Sequence, residues 1–89
     1  MVAAKEVLAD HVSWRKIDDT AVLLNLESSE YYTFNATGCR LLELLAESAA
    51  PEKMADLLSE EFEVTPAAAL ADVRRFLFRL HENGLTRRS

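Results

Sequence analysis

Apolar side chains recur with period two in the first third of the chain and with period three to four in the rest. From His11 to Ile17, Val12, Trp14 and Lys16 share one face, a strand that frays into polar residues. Asp18-Asp19 is a turn signal. From Thr20 to Leu26, Val22, Leu24 and Leu26 alternate with Ala21, Leu23 and Asn25, so both faces are largely apolar, as in the middle strand of a small sheet. A polar turn, Glu27-Ser28-Ser29-Glu30, leads to a third strand, Tyr31 to Phe34. That turn has no glycine, which argues against a tight two-residue type I′ geometry.

At Asn35 the period changes. Asn35 fits an N-cap for a helix carrying Leu41, Leu42, Leu44 and Leu45 to about Ser48, and Gly38 in its first turn suggests close approach by another backbone. Pro51 opens a second helix with Met54, Leu57, Leu58 and Phe62 on its buried stripe. The third helix has the clearest boundaries: Thr65 as cap, Pro66 at the first helical position, Asn83-Gly84 as stop. Leu85 can begin a last short extended piece. Three strands followed by three helices is an α+β pattern, with the chain read as one domain over residues 1–89. Residues 1 to about 10, weakly helical in character, read as a loosely held lead-in.

Composition narrows the function more than the fold. The 89 residues are 49% hydrophobic and 28% charged, which describes a globular chain, and the formal net charge is −5. That balance works against broad phosphate binding. The C-terminal segment is nevertheless locally basic, with Arg74, Arg75, Arg79, Arg87 and Arg88 against Asp72 and Glu82. The single cysteine excludes an internal disulfide, no apolar run is long enough to span a membrane, and the N-terminus lacks a signal-peptide core. A cytoplasmic protein is expected.

Chemistry-bearing patterns are sparse. Cys39 lies in a leucine-rich helix with only His11 and His81 as potential partners, fitting a buried thiol better than a nucleophile, and the three are too scattered for a structural zinc site. Neither a P-loop nor a glycine-rich dinucleotide turn is present. No enzyme activity and no cofactor are expected. A winged helix on nucleic acid is the rival reading, with the third helix as recognition element. The acidic second helix, with Glu52, Asp56, Glu60 and Glu61, opposes it.

What the pattern does offer is an edge and a wall. Ala69, Leu70, Val73, Phe76, Leu77 and Leu80 form the buried arc of the third helix. Phe78 lies off that arc with Ala71, Arg74, Arg75 and Glu82, and Arg79 lies further round. Phe78 can be a scattered surface aromatic; it can also give apolar contact in a groove whose arginines select an acidic ligand.

The run Val22 to Gly38, followed by Leu41-Leu42-Glu43-Leu44-Leu45, resembles the PqqD-like family, as do Met54 to Leu58, Phe62-Glu63-Val64, Asp72-Val73, Phe76-Leu77 and Leu80 to Leu85. The resemblance covers about Val12 to Leu85. It implies a compact winged-helix-like fold and a recognition element for ribosomally made, modified peptides. A precursor's leader segment would add as a further strand beside Tyr31, Tyr32, Thr33 and Phe34, in a cleft facing Ala71, Arg74, Arg75 and Phe78. Tyr32 and Phe34 are expected to face the core. The expected partners are that leader and a separate modifying enzyme, such as a peptidase, cyclase or radical enzyme; the free edge could also pair two copies of the chain. The family often has Gly in the hairpin turn and Trp in the first helix, where Ser29 and Leu42 stand here. The Glu-Tyr-Tyr strand and Asn-Ala-Thr-Gly helix start resemble the lasso-peptide type more than the cofactor-biosynthesis type.

Overall fold

A computed structural model describes residues 6–88. Strands β1 (Glu6–Leu8), β2 (Val12–Ile17), β3 (Thr20–Asn25) and β4 (Tyr31–Phe34) precede helices α1 (Ala36–Ala46), α2 (Pro51–Glu61) and α3 (Pro66–Glu82), and β5 (Thr86–Arg88) closes the chain. The expected winged-helix-like α+β order of three strands and three helices is present, with β2-β3-β4 as one antiparallel sheet. The short extended piece expected after Leu85 is present as β5, whereas its partner β1 was not expected. β1 pairs with β5 as a two-stranded antiparallel ribbon, in which Leu8 opposes Thr86. The lead-in over residues 6–8 is therefore strand, not weak helix, because a partner strand 80 residues away supplies its hydrogen bonds; the rest of the proposed lead-in before Glu6 lies outside the described residues.

Buried Asn25 organises the β3–β4 turn. Its Oδ1 accepts from the Glu27 N–H (2.9 Å) and the Ser28 N–H (3.2 Å), and its carbonyl accepts from the Ser29 N–H (2.8 Å). Ser29 takes φ 65°, the left-handed conformation that glycine adopts most cheaply, so the Asn25 side chain, not a glycine, holds this turn. The helix ends follow their caps. Asn35 accepts from the Gly38 N–H, Thr65 accepts from the Ala68 N–H, and Gly84 at φ 70° lets the Leu85 N–H reach the Leu80 carbonyl in a Schellman closure.

Helix α1 packs on the inner face of the sheet, α3 meets its edge through Phe76 and Phe34, and α2 packs on α1 and α3. Leu23, Leu42, Met54, Leu58 and Val73 are fully buried, each large side chain worth about 1.5–3 kcal/mol over exposure. The core also takes Cys39, whose thiol is pushed up in pKa by burial and secondarily by Glu43. A fork of hydrogen bonds from Arg40 to Glu61 (2.8 and 3.1 Å) ties α1 to the end of α2. Among the described residues, no helix is long and apolar enough to cross a membrane.

Candidate functional site

β4 is an edge strand: β3 occupies one side and no strand among the described residues the other. Its register with β3 sets what it can offer. The Asn25 N–H bonds the Glu30 carbonyl (2.8 Å), so by the alternation of an antiparallel ladder the bonded pairs continue at Leu23–Tyr32 and Ala21–Phe34. The N–H and C=O groups of Tyr31 and Thr33 then point away from β3. Side chains divide the other way: Phe34 is 7% exposed and Tyr32 packs half-buried on the core, as expected, whereas Tyr31 (69% exposed) and Thr33 face solvent.

Beyond that edge lies a cleft of about 640 Å³. Thr33, Phe34 and Asn35 form one wall, the first turns of α1 contribute Thr37, Gly38 and Leu41, and α3 forms the opposite wall with Asp72, Arg75, Phe76, Phe78 and Arg79. Hairpin and helix are continuous here, which is why Asn35 both ends β4 and caps α1. Gly38 lets them close up: a Cβ built on it would lie 2.9 Å from the Phe34 Cβ and 3.0 Å from Cδ1. The close neighbour is thus the Phe34 side chain rather than another backbone.

The floor is aromatic and the wall is charged. Phe34 and Phe76 meet edge to face at 5.8 Å between centroids, and the Arg79 guanidinium sits 5.2 Å above the Phe34 ring. Arg75 is bonded to the Asp72 carboxylate one turn earlier. Phe78 is 64% exposed on the rim.

Of the eight residues singled out from sequence, Thr33, Phe34, Arg75 and Phe78 line the cleft. Tyr31 and Tyr32 belong to its edge strand without lining it. Ala71 and Arg74 are exposed on α3 outside the lining. Asp72, Phe76 and Arg79 were missed because the side of α3 that faces β4 borders the core arc itself. At 100° per residue, Asp72 and Arg79 are about 20° apart and lie together about 40° and 60° to one side of Phe76, whereas Arg74 lies well round the helix. The spacing Asp72, Phe76, Arg79 carried that signal.

The other candidate chemistry stays dispersed. Cys39 borders a smaller hollow with Lys16, Asp19, Arg40, Glu43 and Phe62. His11 instead lies 3.0 Å from the Gly84 carbonyl and His81 lies 3.5 Å from Glu6. Among the described residues no group of three or more His, Cys, Asp or Glu side chains is arranged to hold a metal ion.

Comparison with known proteins bears on this geometry. The family described as coenzyme PQQ synthesis protein D (PqqD) matches residues 20–85. Two solved structures are similar along nearly their whole length. One, TbiB1 in complex with the TbiA(beta) leader peptide, is 34% identical with a TM-score of 0.85, covering 90% of this chain and 93% of the other. The second, a lasso peptide synthetase B1 complexed with the leader peptide, is 30% identical with a TM-score of 0.86, covering 94% and 99%. Comparison with curated proteins finds no match. The family match spans most of the chain, including the β3–β4 hairpin, α1 and α3 that build the cleft, and the chain belongs to the PqqD family.

Proposed function

We propose that this chain is a non-catalytic recognition element. It binds the leader segment of a ribosomally made precursor peptide as an added strand on β4 and hands the precursor to a separate modifying enzyme. The observation that carries this reading is the unpaired backbone of Tyr31 and Thr33 on an edge strand whose Thr33–Phe34 end faces α3 across a cleft of about 640 Å³. Strand addition draws affinity from main-chain hydrogen bonds that demand little of the peptide's sequence; pockets for alternate side chains add selectivity. Phe34 and Phe76 offer such a pocket here, and Phe78 extends its rim. That both similar structures hold leader peptides supports the same assignment, in a lasso-type pathway.

The enzyme served is a peptidase, cyclase or radical enzyme acting on the core segment. Tethering the leader raises the local concentration of that core without chemistry by this chain. The same edge accepts a second copy of β4, which would compete with the leader.

Backbone amide shifts, followed by NMR during titration with the leader of the precursor encoded beside this chain, test the assignment, with duplex DNA as control. Shifts concentrated at residues 31–35 and 72–79 are expected. A silent peptide titration beside a salt-dependent response to DNA would overturn the reading in favour of nucleic-acid binding.

A further inference from the structure

The geometry points to Arg79 as the residue that reads an acidic side chain of the bound peptide, over the Phe34 ring, ahead of Arg75, whose guanidinium is already paired with Asp72; this rests on the leader-binding reading above. α3 carries three arginines near the cleft, and they are not equivalent. Arg74 lies outside the lining. Arg75 lines it, but its guanidinium is bonded to Asp72, which lines the same wall. A carboxylate arriving there meets a neutralised pair and would have to displace Asp72 or sit beside its charge. Arg79 differs. Among the described residues no carboxylate lies within ion-pair distance of it and none of its side-chain N–H groups is bonded to a protein acceptor. The Phe34 ring 5.2 Å away holds the guanidinium in place electrostatically and takes none of its five donors.

An unspent donor fork beside a buried aromatic floor suits a carboxylate, which can accept two parallel N–H bonds from one guanidinium. The setting favours it too: covering by a peptide would shed water from the pair, and Asn35, Thr37 and Gly38 bring the positive end of α1 to the same cleft. The chain's net charge of −5 repels an acidic peptide overall, so a local cation must select the acid's position. The cleft is polarised as a result. Arg79 and Asp72 are seven residues apart, about 10 Å along the helix at ~1.5 Å per residue. An acid is welcome at the Arg79 end and unwelcome at the Asp72 end.

This gives Arg79 a task that strand addition cannot perform. Main-chain pairing leaves register degenerate in steps of two residues, and one charged anchor removes the degeneracy. Arg79 therefore fixes which leader residue stands over Phe34.

The test is a double-mutant cycle by fluorescence anisotropy. The labelled leader of the precursor encoded beside this chain is the probe, with each Asp and Glu changed singly to Asn or Gln. It is titrated into wild type, Arg79→Gln, Arg79→Lys and Arg75→Gln, with thermal melts confirming each fold. One leader substitution is expected to weaken wild-type binding about fivefold to tenfold, to have almost no further effect in Arg79→Gln, and to regain part of its effect in Arg79→Lys. In Arg75→Gln that dependence should persist. Leader and Arg79 substitutions that simply add, coupling that appears at Arg75 instead, or a bound leader without an acid would overturn the inference while leaving leader binding intact. Wild type failing to bind the leader at all would overturn the leader reading itself.

Discussion

Gly38→Ala is expected to destabilise the fold although it replaces glycine within a helix. Alanine in a helix interior gains up to about 1 kcal/mol over glycine through propensity. Against this stands a contact at 2.9 Å with the Phe34 Cβ, an atom fixed to the β4 backbone that no side-chain rotation can move. Overpacking of this kind costs about 1–3 kcal/mol, which set against that gain leaves a net loss of up to about 2 kcal/mol. The relief route matters as well. If the end of β4 retreats from α1, Phe34 moves against Phe76 at 5.8 Å and Arg79 at 5.2 Å, and the cleft floor is disturbed. Urea unfolding followed by circular dichroism would measure the first effect. A thermal midpoint lower by up to about 15 °C is the expected scale for a domain of this size. Stability equal to or above wild type would refute the close-approach reasoning, and with it the account of why glycine occupies this position.

Three further outcomes follow from the same geometry. Thr33→Pro should abolish leader binding, measured by anisotropy, and leave the fold in place, because the lost N–H points away from β3 and Tyr32 before it is already extended. Phe78→Ala should weaken leader binding by about 1–2 kcal/mol yet shift stability by less than about 0.5 kcal/mol, since the ring is mostly exposed; comparing anisotropy with a thermal melt separates the two. The hydrogen bonds from Arg40 hold the Glu61 carboxyl below its ordinary pKa, so this pair stabilises the fold above the usual carboxylate range and the contribution is lost as pH falls through the depressed value. With Glu61 38% exposed the effect is under about 1 kcal/mol; Glu61→Gln should lower the urea midpoint at pH 7, with the difference from wild type shrinking as pH falls below the usual carboxylate range, and a difference independent of pH would discount the pair.

The strands and helices of the centre were legible because each has a local cause. Thr65-Pro66 and Asn83-Gly84 bound α3 through groups within a few residues, and the change of period at Asn35 marks the strand-to-helix junction. β1 was not legible, because Glu6–Leu8 becomes strand only through β5 at the far end of the chain. At the cleft, β4 could be read from residue type alone, but the α3 wall required knowing which border of the apolar arc turns toward β4. Phe78 and Arg75 stand out as an aromatic and a cation off the arc. Arg79 and Asp72 look like ordinary solvated charges until Phe34 is placed beneath one and Arg75 beside the other.

The two edges of the β2-β3-β4 sheet are treated differently, and the difference bears on function. Open edges invite pairing with other chains, and charged residues along them are a usual protection. β2 has Arg15 and Lys16, with Lys16 tied 3.3 Å from Glu43 on α1. β4 is Tyr-Tyr-Thr-Phe, four residues of high strand propensity with no charge and no proline. An unguarded edge is a liability in a chain that stays alone, and here it lies where the cleft and its aromatic floor are built. The protection that β4 lacks is supplied by geometry instead: α3 stands across the cleft, so an incoming strand must pass Phe78 and fit the space above Phe34. In the proposed binding mode selectivity comes from the wall and affinity from the edge, so the two should be removable separately, the first at Phe78 and the second at Thr33.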